Sequence, residues 1–174
     1  MIKYAPLYSL LLVLVIIVGC GQERPGNASV MLNNHSTVYS TIDSTMAKVY
    51  KTKEEWKKEL TFAEYRVLRG GGTELPIVNE YNKTKSQGVY HCAACDLPIF
   101  HSQRKYDSGS GWPAFYAPVE ESVTTRADNT FFMKRTEVLC SRCDSHLGHV
   151  FEDGPEPTGL RYCINSVAMN LRES

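Results

Sequence analysis

The sequence predicts a mainly β domain of antiparallel sheets behind two short N-terminal helices. Three observations carry that prediction. From Thr73 onward, short apolar runs alternate with turn residues and no helical period intervenes. Before Thr73, two Thr-x-x-Glu patterns each introduce an apolar spacing of helical type. Two Cys-x-x-Cys pairs, Cys92/Cys95 and Cys140/Cys143, sit inside the β-textured part and offer a cross-link between distant segments.

The helices come first. Thr52-Lys53-Glu54-Glu55 is a capping box, with Thr52 as N-cap and Glu55 at N3. Trp56 and Leu60 then fall four apart on one face. Thr61-Phe62-Ala63-Glu64 repeats the box, Tyr65 and Leu68 are expected to face inward, and Gly70-Gly71-Gly72 ends the second helix. The triple glycine closes a helix and has no Lys-Ser/Thr pair after it, so it is not a phosphate loop.

The strands are expected at Gly88-Val89-Tyr90, Pro98-Ile99-Phe100, Ala114-Phe115-Tyr116, Thr130-Phe131-Phe132-Met133, Glu137-Val138-Leu139, His149-Val150-Phe151 and Tyr162-Cys163-Ile164. Asp107-Ser108-Gly109-Ser110-Gly111 and Glu152-Asp153-Gly154-Pro155-Glu156-Pro157 read as loops.

The first 20 residues differ from the rest. Leu7 to Val18 is an apolar run of about signal-peptide length, too short to span a bilayer comfortably. It ends in Ile17-Val18-Gly19-Cys20, which resembles the lipobox of bacterial lipoproteins. The expected organisation is therefore a signal peptide over 1–19, a lipidated Cys20 with a Ser/Thr/Asn/Gly-rich tether over 20–50, and one folded domain over 51–174. The expected setting is the extracytoplasmic face of a bacterial membrane. Lys+Arg and Asp+Glu are equal at 19 each, and no basic stripe is present, so a nucleic-acid partner is not expected. A monomer is.

With Cys20 set aside, five cysteines remain, an odd number. Two residues between thiolates let both sulfurs reach one tetrahedral ion. Between Cys95 and Cys140 lie 44 residues, well beyond the usual zinc-ribbon gap of about 15–20. The four cysteines would thus clip distant segments around one structural zinc. Two local disulfides, or iron in the same sulfur cage, are the alternatives.

Cys163 is left over, within Arg161-Tyr162-Cys163-Ile164-Asn165-Ser166. In a strand, Arg161, Cys163 and Asn165 share a face. That arrangement presents a cation, a thiol and an amide together, and a nearby cation favours the nucleophilic thiolate. Gly109-Ser110-Gly111-Trp112-Pro113 places an indole on a loop that backbone or ligand can approach closely. His146 and His149 follow the second Cys-x-x-Cys; with four thiolates already available, a role beside Cys163 suits them better than metal ligation.

Together these segments, from about Thr52 to Met169, resemble the B-type methionine sulfoxide reductases, the peptide-methionine (R)-S-oxide reductases. The motifs that carry the resemblance are both Cys-x-x-Cys pairs, Lys105-Tyr106-Asp107-Ser108-Gly109, Gly111-Trp112-Pro113, His146-Leu147-Gly148-His149-Val150-Phe151, Asp153-Gly154-Pro155 and Arg161 to Ser166. The resemblance implies two antiparallel sheets, a structural zinc and reduction of the R epimer of methionine sulfoxide in oxidised proteins or peptides. It implies attack by the Cys163 thiolate on the sulfoxide sulfur, which leaves methionine and a Cys163 sulfenic acid. His149 would donate to the oxygen, with His146 and Asn165 orienting it through a water. Arg161 would hold the thiolate, Trp112 would receive the methyl group, and Phe151 would wall the pocket.

One position departs from the pattern. Many family members carry a resolving cysteine just before Gly-Trp-Pro, and here that residue is Ser110. An external thiol, with a thioredoxin-like protein as the first candidate, is then expected to reset Cys163. Two rival readings remain from the residues alone. A zinc-stabilised binding module would not need the Arg-Tyr-Cys-x-Asn strand, and a thiol-disulfide oxidoreductase would need its Cys-x-x-Cys in a βαβ setting.

Overall fold

Both capping boxes close as the sequence predicts. In the computed structural model, which describes residues 47–130 and 133–174, helix α1 (Lys53–Glu59) starts at Thr52 and α2 (Phe62–Leu68) at Thr61. At each start the Thr hydroxyl accepts the N3 amide, and the Glu carboxylate accepts the N-cap amide at 2.7 Å. Such caps contribute about 0.5–2 kcal/mol apiece, which matters for helices of only two turns. Trp56, Leu60 and Leu68 are buried as expected. Val67 joins them, whereas Tyr65 is only half-buried and lies under Lys57. The glycine run ends α2 through Gly71, whose φ of 65° places it in the left-handed region.

The rest is two antiparallel sheets. Strands β1 (Gly88–Cys92), β2 (Pro98–His101) and β9 (Met169–Glu173) form one sheet, in the order β2-β1-β9. The other has the order β3-β4-β8-β7-β6-β5, built from β3 (Lys105–Tyr106), β4 (Ala114–Phe115), β5 (Val123–Asp128), β6 (Arg135–Cys140), β7 (His146–Phe151) and β8 (Arg161–Ile164). A single turn of 3-10 helix, Ser166–Ala168, links β8 to β9. Tyr90 and Phe100 from the smaller sheet meet Phe115 and Tyr162 from the larger one. Phe100 stacks on Phe115 at 4.5 Å between centroids, and Tyr90 meets Phe115 edge-on at 5.1 Å. Each such pair adds roughly 0.5–1.5 kcal/mol beyond the area it buries.

Period-two alternation explains the faces of β8. Tyr162 and Ile164 go into this core, so Arg161 and Cys163 must face the other way. Strands β3, β5 and β9 are not among the expected strands. Strand β3 is only two residues long, and β5, read Val-Thr-Thr-Arg-Ala-Asp, is a mostly exposed polar edge strand without apolar alternation. Strand β9 does alternate, Met169 and Leu171 against Asn170 and Arg172, a signal the sequence reading passed over. Of the run Thr130 to Met133, the two end residues lie in no described strand, and the Met133 amide donates to the Thr130 carbonyl. Its two central residues lie outside the described residues.

The expected signal peptide over 1–19, Cys20 and most of the expected 20–50 tether also lie outside them. Where the description begins, Val49 already donates to the Arg142 carbonyl at 2.8 Å, and Lys48 pairs with Asp144. Among the described residues no helix is long and apolar enough to cross a membrane.

Candidate active site and metal centre

Cys92 ends β1 and Cys140 ends β6, and each opens a turn of the same construction. The residue after each second cysteine, Asp96 or Asp144, has positive φ and donates its amide back to the carbonyl of Cys92 or Cys140. The two turns face one another, and their four sulfurs lie within 4.8 Å of one another. Cys92 and Cys143 are 3.8 Å apart, and Cys95 and Cys140 are 3.5 Å apart. A disulfide needs about 2.05 Å. A tetrahedral ion with metal–sulfur bonds of about 2.3 Å holds its sulfurs roughly 3.8 Å apart. The donor set therefore fits a metal ion, and none of the four cysteines is in a disulfide in this structure. Arg69, just past α2 and lying over Trp56, donates to the Cys143 carbonyl at 2.9 Å and so ties the helices to this centre.

The second constellation is a product of strand register. Cys163 on β8 stands directly opposite His149 on β7, which stands opposite Glu137 on β6, itself opposite Arg126 on β5. On the other side Cys163 faces Ala114. Directly opposed residues of antiparallel strands share a face, so one row carries thiol, imidazole, carboxylate and guanidinium. Gly148 allows this closeness: a Cβ there would lie 2.1 Å from the Cys163 carbonyl oxygen.

The cleft over the row has a volume of about 120 Å³ and is bordered by Cys163, His149, Asn165, Trp112, Phe151 and Arg135. Five of the seven residues predicted for the chemistry and its substrate thus line one cavity. The other two, Arg161 and His146, stand beside it. Arg161 forms a bidentate pair with Asp153, both contacts 2.8 Å, and stacks on Phe151. His146 packs edge-on against His149 at 5.4 Å between ring centroids.

Each histidine has its own carboxylate. His149 Nε2 lies 2.9 Å from Asp128, whose other partners are Thr130 and Arg135. The Thr130 hydroxyl and amide, then His149 and Arg135, hold the Asp128 carboxyl well below the usual carboxylate range. An ionised Asp128 only accepts, so Nε2 of His149 carries a proton and donates it. Donation from Nδ1 as well requires the imidazolium. His146 Nδ1 lies 2.7 Å from Glu137, which Arg126 grips through two nitrogens. Burial lowers the His146 pKa against the opposing pull of Glu137. A neutral ring that donates Nδ1–H to Glu137 keeps a lone pair on Nε2, a buried atom with no partner among the described residues.

Asn165 and Trp112 are held by a residue the sequence reading passed over. The Glu74 amide donates to Asn165 Oδ1 at 3.0 Å, and the Glu74 carbonyl accepts the Trp112 indole N–H at 3.1 Å. Its carboxylate accepts the amides of Ser166 and Val167 at the start of the 3-10 turn. Asn165 Nδ2 donates to the Leu147 carbonyl at 3.0 Å, so both ends of this side chain are engaged. Asp128, Arg135 and Glu137 were also missed. The only signal for Arg135 and Glu137 was the alternation Arg135-Thr136-Glu137, which alone reads as a solvated strand face, and Asp128 carried none.

The charge balance at Cys163 is closer than the Arg-x-Cys spacing suggests. Burial pushes the Cys163 thiol up, while the Ser110 hydroxyl, 3.9 Å from Sγ, and the Arg161 guanidinium pull it down without offsetting burial. Replacing Arg161 with Gln removes one downward influence and leaves Asp153 unpaired nearby, which raises the thiol further. The acidic limb of the kcat/KM–pH profile should therefore move to higher pH in Arg161→Gln. An unmoved or downward-shifted limb would refute this role for Arg161.

The family comparison agrees with the geometry. Residues 60–173 match the SelR domain. The chain is similar to the peptide methionine sulfoxide reductase MsrB of Hahella chejuensis, 53% identical over 130 residues covering 74% of this chain and 94% of that one. It is similar to the enzyme of the same name from Pseudomonas savastanoi pv. phaseolicola, 58% identical over 127 residues covering 72% and 97%. The chloroplastic peptide methionine sulfoxide reductase B1 of Oryza sativa is 52% identical over 124 residues, covering 71% of this chain and 58% of the plant protein.

Proposed function

Because the chain belongs to the SelR-domain family and is a B-type peptide methionine sulfoxide reductase, we propose that it reduces the R epimer of protein-bound methionine sulfoxide through Cys163. The observation that carries this reading is the register pair Cys163–His149 at the floor of a cleft walled by Trp112 and Phe151. The Cys163 thiolate attacks the sulfoxide sulfur, with the sulfoxide methyl against the Trp112 indole. His149, as imidazolium with Nε2–H committed to Asp128, protonates the sulfoxide oxygen. The lone pair on His146 Nε2 can accept from a water between them, and Asn165 borders the same space. The oxygen leaves with the Cys163 sulfur: thiolate, sulfoxide and one proton become sulfenic acid and the methionine thioether.

Resetting the enzyme takes two reducing equivalents. A first external thiol attacks the sulfenic acid, releasing water and forming a mixed disulfide. A second thiol attacks that disulfide and frees Cys163. Ser110 stands where an internal thiol would resolve the sulfenic acid, 3.9 Å from Cys163 Sγ, but a hydroxyl cannot form the disulfide. The other four described cysteines make up the metal cluster. We assign zinc to that cluster, because four thiolates with no open position suit a structural site. It takes no part in the reaction.

The working site proposed for the enzyme is an extracytoplasmic membrane surface, with lipid on Cys20, a thioredoxin-like donor and oxidised exported proteins as substrate. Ile17-Val18-Gly19-Cys20 supports this. Intact and peptide mass spectra of the protein from its own cells, treated with substrate and no reductant, test both parts. Sulfenic acid at Cys163 without any intramolecular disulfide, and a diacylglyceryl adduct on an N-terminal Cys20, are expected. A disulfide between Cys163 and another cysteine would contradict the one-cysteine cycle, and an intact Met1 start would contradict the lipid.

A further inference from the structure

The segment just before the cleft wall turns three aliphatic side chains outward. Leu75, Ile77 and Val78 are 74%, 65% and 81% exposed. They follow Thr73, which lines the cleft, and Glu74, which holds Trp112 and Asn165. This strap is not loose. The Ile77 amide donates to the Gly111 carbonyl at 2.6 Å, and Asn79 Nδ2 donates to the same oxygen at 2.8 Å. Ser166 Oγ donates to Asn79 Oδ1 at 2.9 Å. Gly111 accommodates the strap, since a Cβ there would come within 2.8 Å of Pro76 Cβ.

The turn that aims these side chains is strained. Val78 donates to the Pro76 carbonyl at 2.7 Å around Ile77, whose φ is 70°. That is a γ-turn with positive φ at a β-branched residue, a conformation that persists only when its surroundings enforce it. Here the loop carrying Trp112 enforces it. Burying the three side chains would have been the ordinary outcome of folding. Fixed outward instead, they leave three exposed aliphatic side chains two to five residues after Thr73, which borders the cleft.

We propose that the Leu75–Val78 strap is a recognition shelf for aliphatic or aromatic residues flanking the methionine sulfoxide of an extended substrate chain. The occupant is thus the substrate itself, in particular core segments of proteins exposed by unfolding. The proposal rests on the reductase reading of the adjacent cleft. The continuity of strap and cleft argues for substrate over any other occupant: Thr73 borders the cavity, and Leu75 follows two residues later, within about 7 Å of chain.

The test compares the full chain with a Leu75→Ser/Val78→Ser variant, using dithiothreitol as reductant. Three substrates are needed: a peptide with Leu and Val around one methionine sulfoxide, the same peptide with Ser and Asn in those places, and blocked methionine sulfoxide with no flanks. Wild type should prefer the apolar-flanked peptide by roughly 5–10-fold in kcat/KM, about the worth of one or two aliphatic contacts. The variant should lose most of that preference while reducing the blocked amino acid at the wild-type rate. Equal turnover of both peptides by wild type, or an undiminished preference in the variant, would overturn the shelf. So would concentration-dependent self-association that only the variant loses, or a defect confined to assays with a thioredoxin-like protein, which would give the strap to a second copy or to the reductant. Failure of wild type to reduce even the blocked amino acid would overturn the reductase reading and the shelf with it.

Discussion

Cys163→Ser should lose methionine sulfoxide reduction by at least about 10³-fold, in line with removal of a nucleophile from other covalent enzymes, and still fold with its metal. In the proposed reaction every other group in the cleft acts on the bond that Cys163 makes. There His149 would protonate an oxygen that leaves only if sulfur attacks, and external thiols would act only on an oxidised Cys163. The serine is close in size, and it loses only the weak contact to Ser110. The other four described cysteines, which could hold a metal ion, are on different turns. Turnover, circular dichroism and metal content measured on one preparation decide the matter. A variant with wild-type rates would remove Cys163 from the mechanism. An unfolded, metal-free variant would make it a structural residue.

Cys140→Ser should have the opposite signature, with metal lost and the domain unfolded or molten at 37 °C. Binding of a structural zinc to four thiolates is worth on the order of 10 kcal/mol or more at neutral pH, comparable to the whole stability of a domain this size. Cys140 is fully buried at the end of β6, and its turn donates from Arg142 to the Cys95 carbonyl and accepts the Val49 amide at the Arg142 carbonyl. Losing the ion therefore unfastens β1, β6 and the chain entering α1 together. Thermal melts with and without chelator give the measurement. A metal-free variant that melts cooperatively near the wild-type temperature would show that the ion is dispensable.

Local signals were the legible ones. A capping box is complete within four residues, so Thr52–Glu55 and Thr61–Glu64 could be read with no tertiary knowledge. The Cys-x-x-Cys turns are equally self-contained, and their pairing followed from the chemistry of thiolates. Cys163, His149 and Trp112 were legible through family motifs. What could not be read was register. Asp128 and Glu137 become partners of His149 and His146 only because β5, β6 and β7 pair as they do. In the sequence they are ordinary polar residues of a solvated strand. Strand β5 itself lacks apolar alternation because it is an edge with little to bury. Glu74 is the clearest case. It sits in an irregular segment, and its amide, carbonyl and carboxylate engage partners 38 to 93 residues away. The Arg161 expectation needed the structure for a different reason. Proximity of a cation to a thiol is a matter of spacing, whereas the burial that outweighs it comes from the whole fold.

The central claim is that this cleft performs epimer-selective reduction through one cysteine. Its most direct test supplies separated R and S epimers of blocked methionine sulfoxide to the metal-loaded wild-type chain, with dithiothreitol as the only reductant. Consumption of the R epimer alone, with one methionine formed per dithiothreitol oxidised, is the predicted result. Comparable consumption of the S epimer, or of neither by a folded and metal-loaded protein, would contradict it.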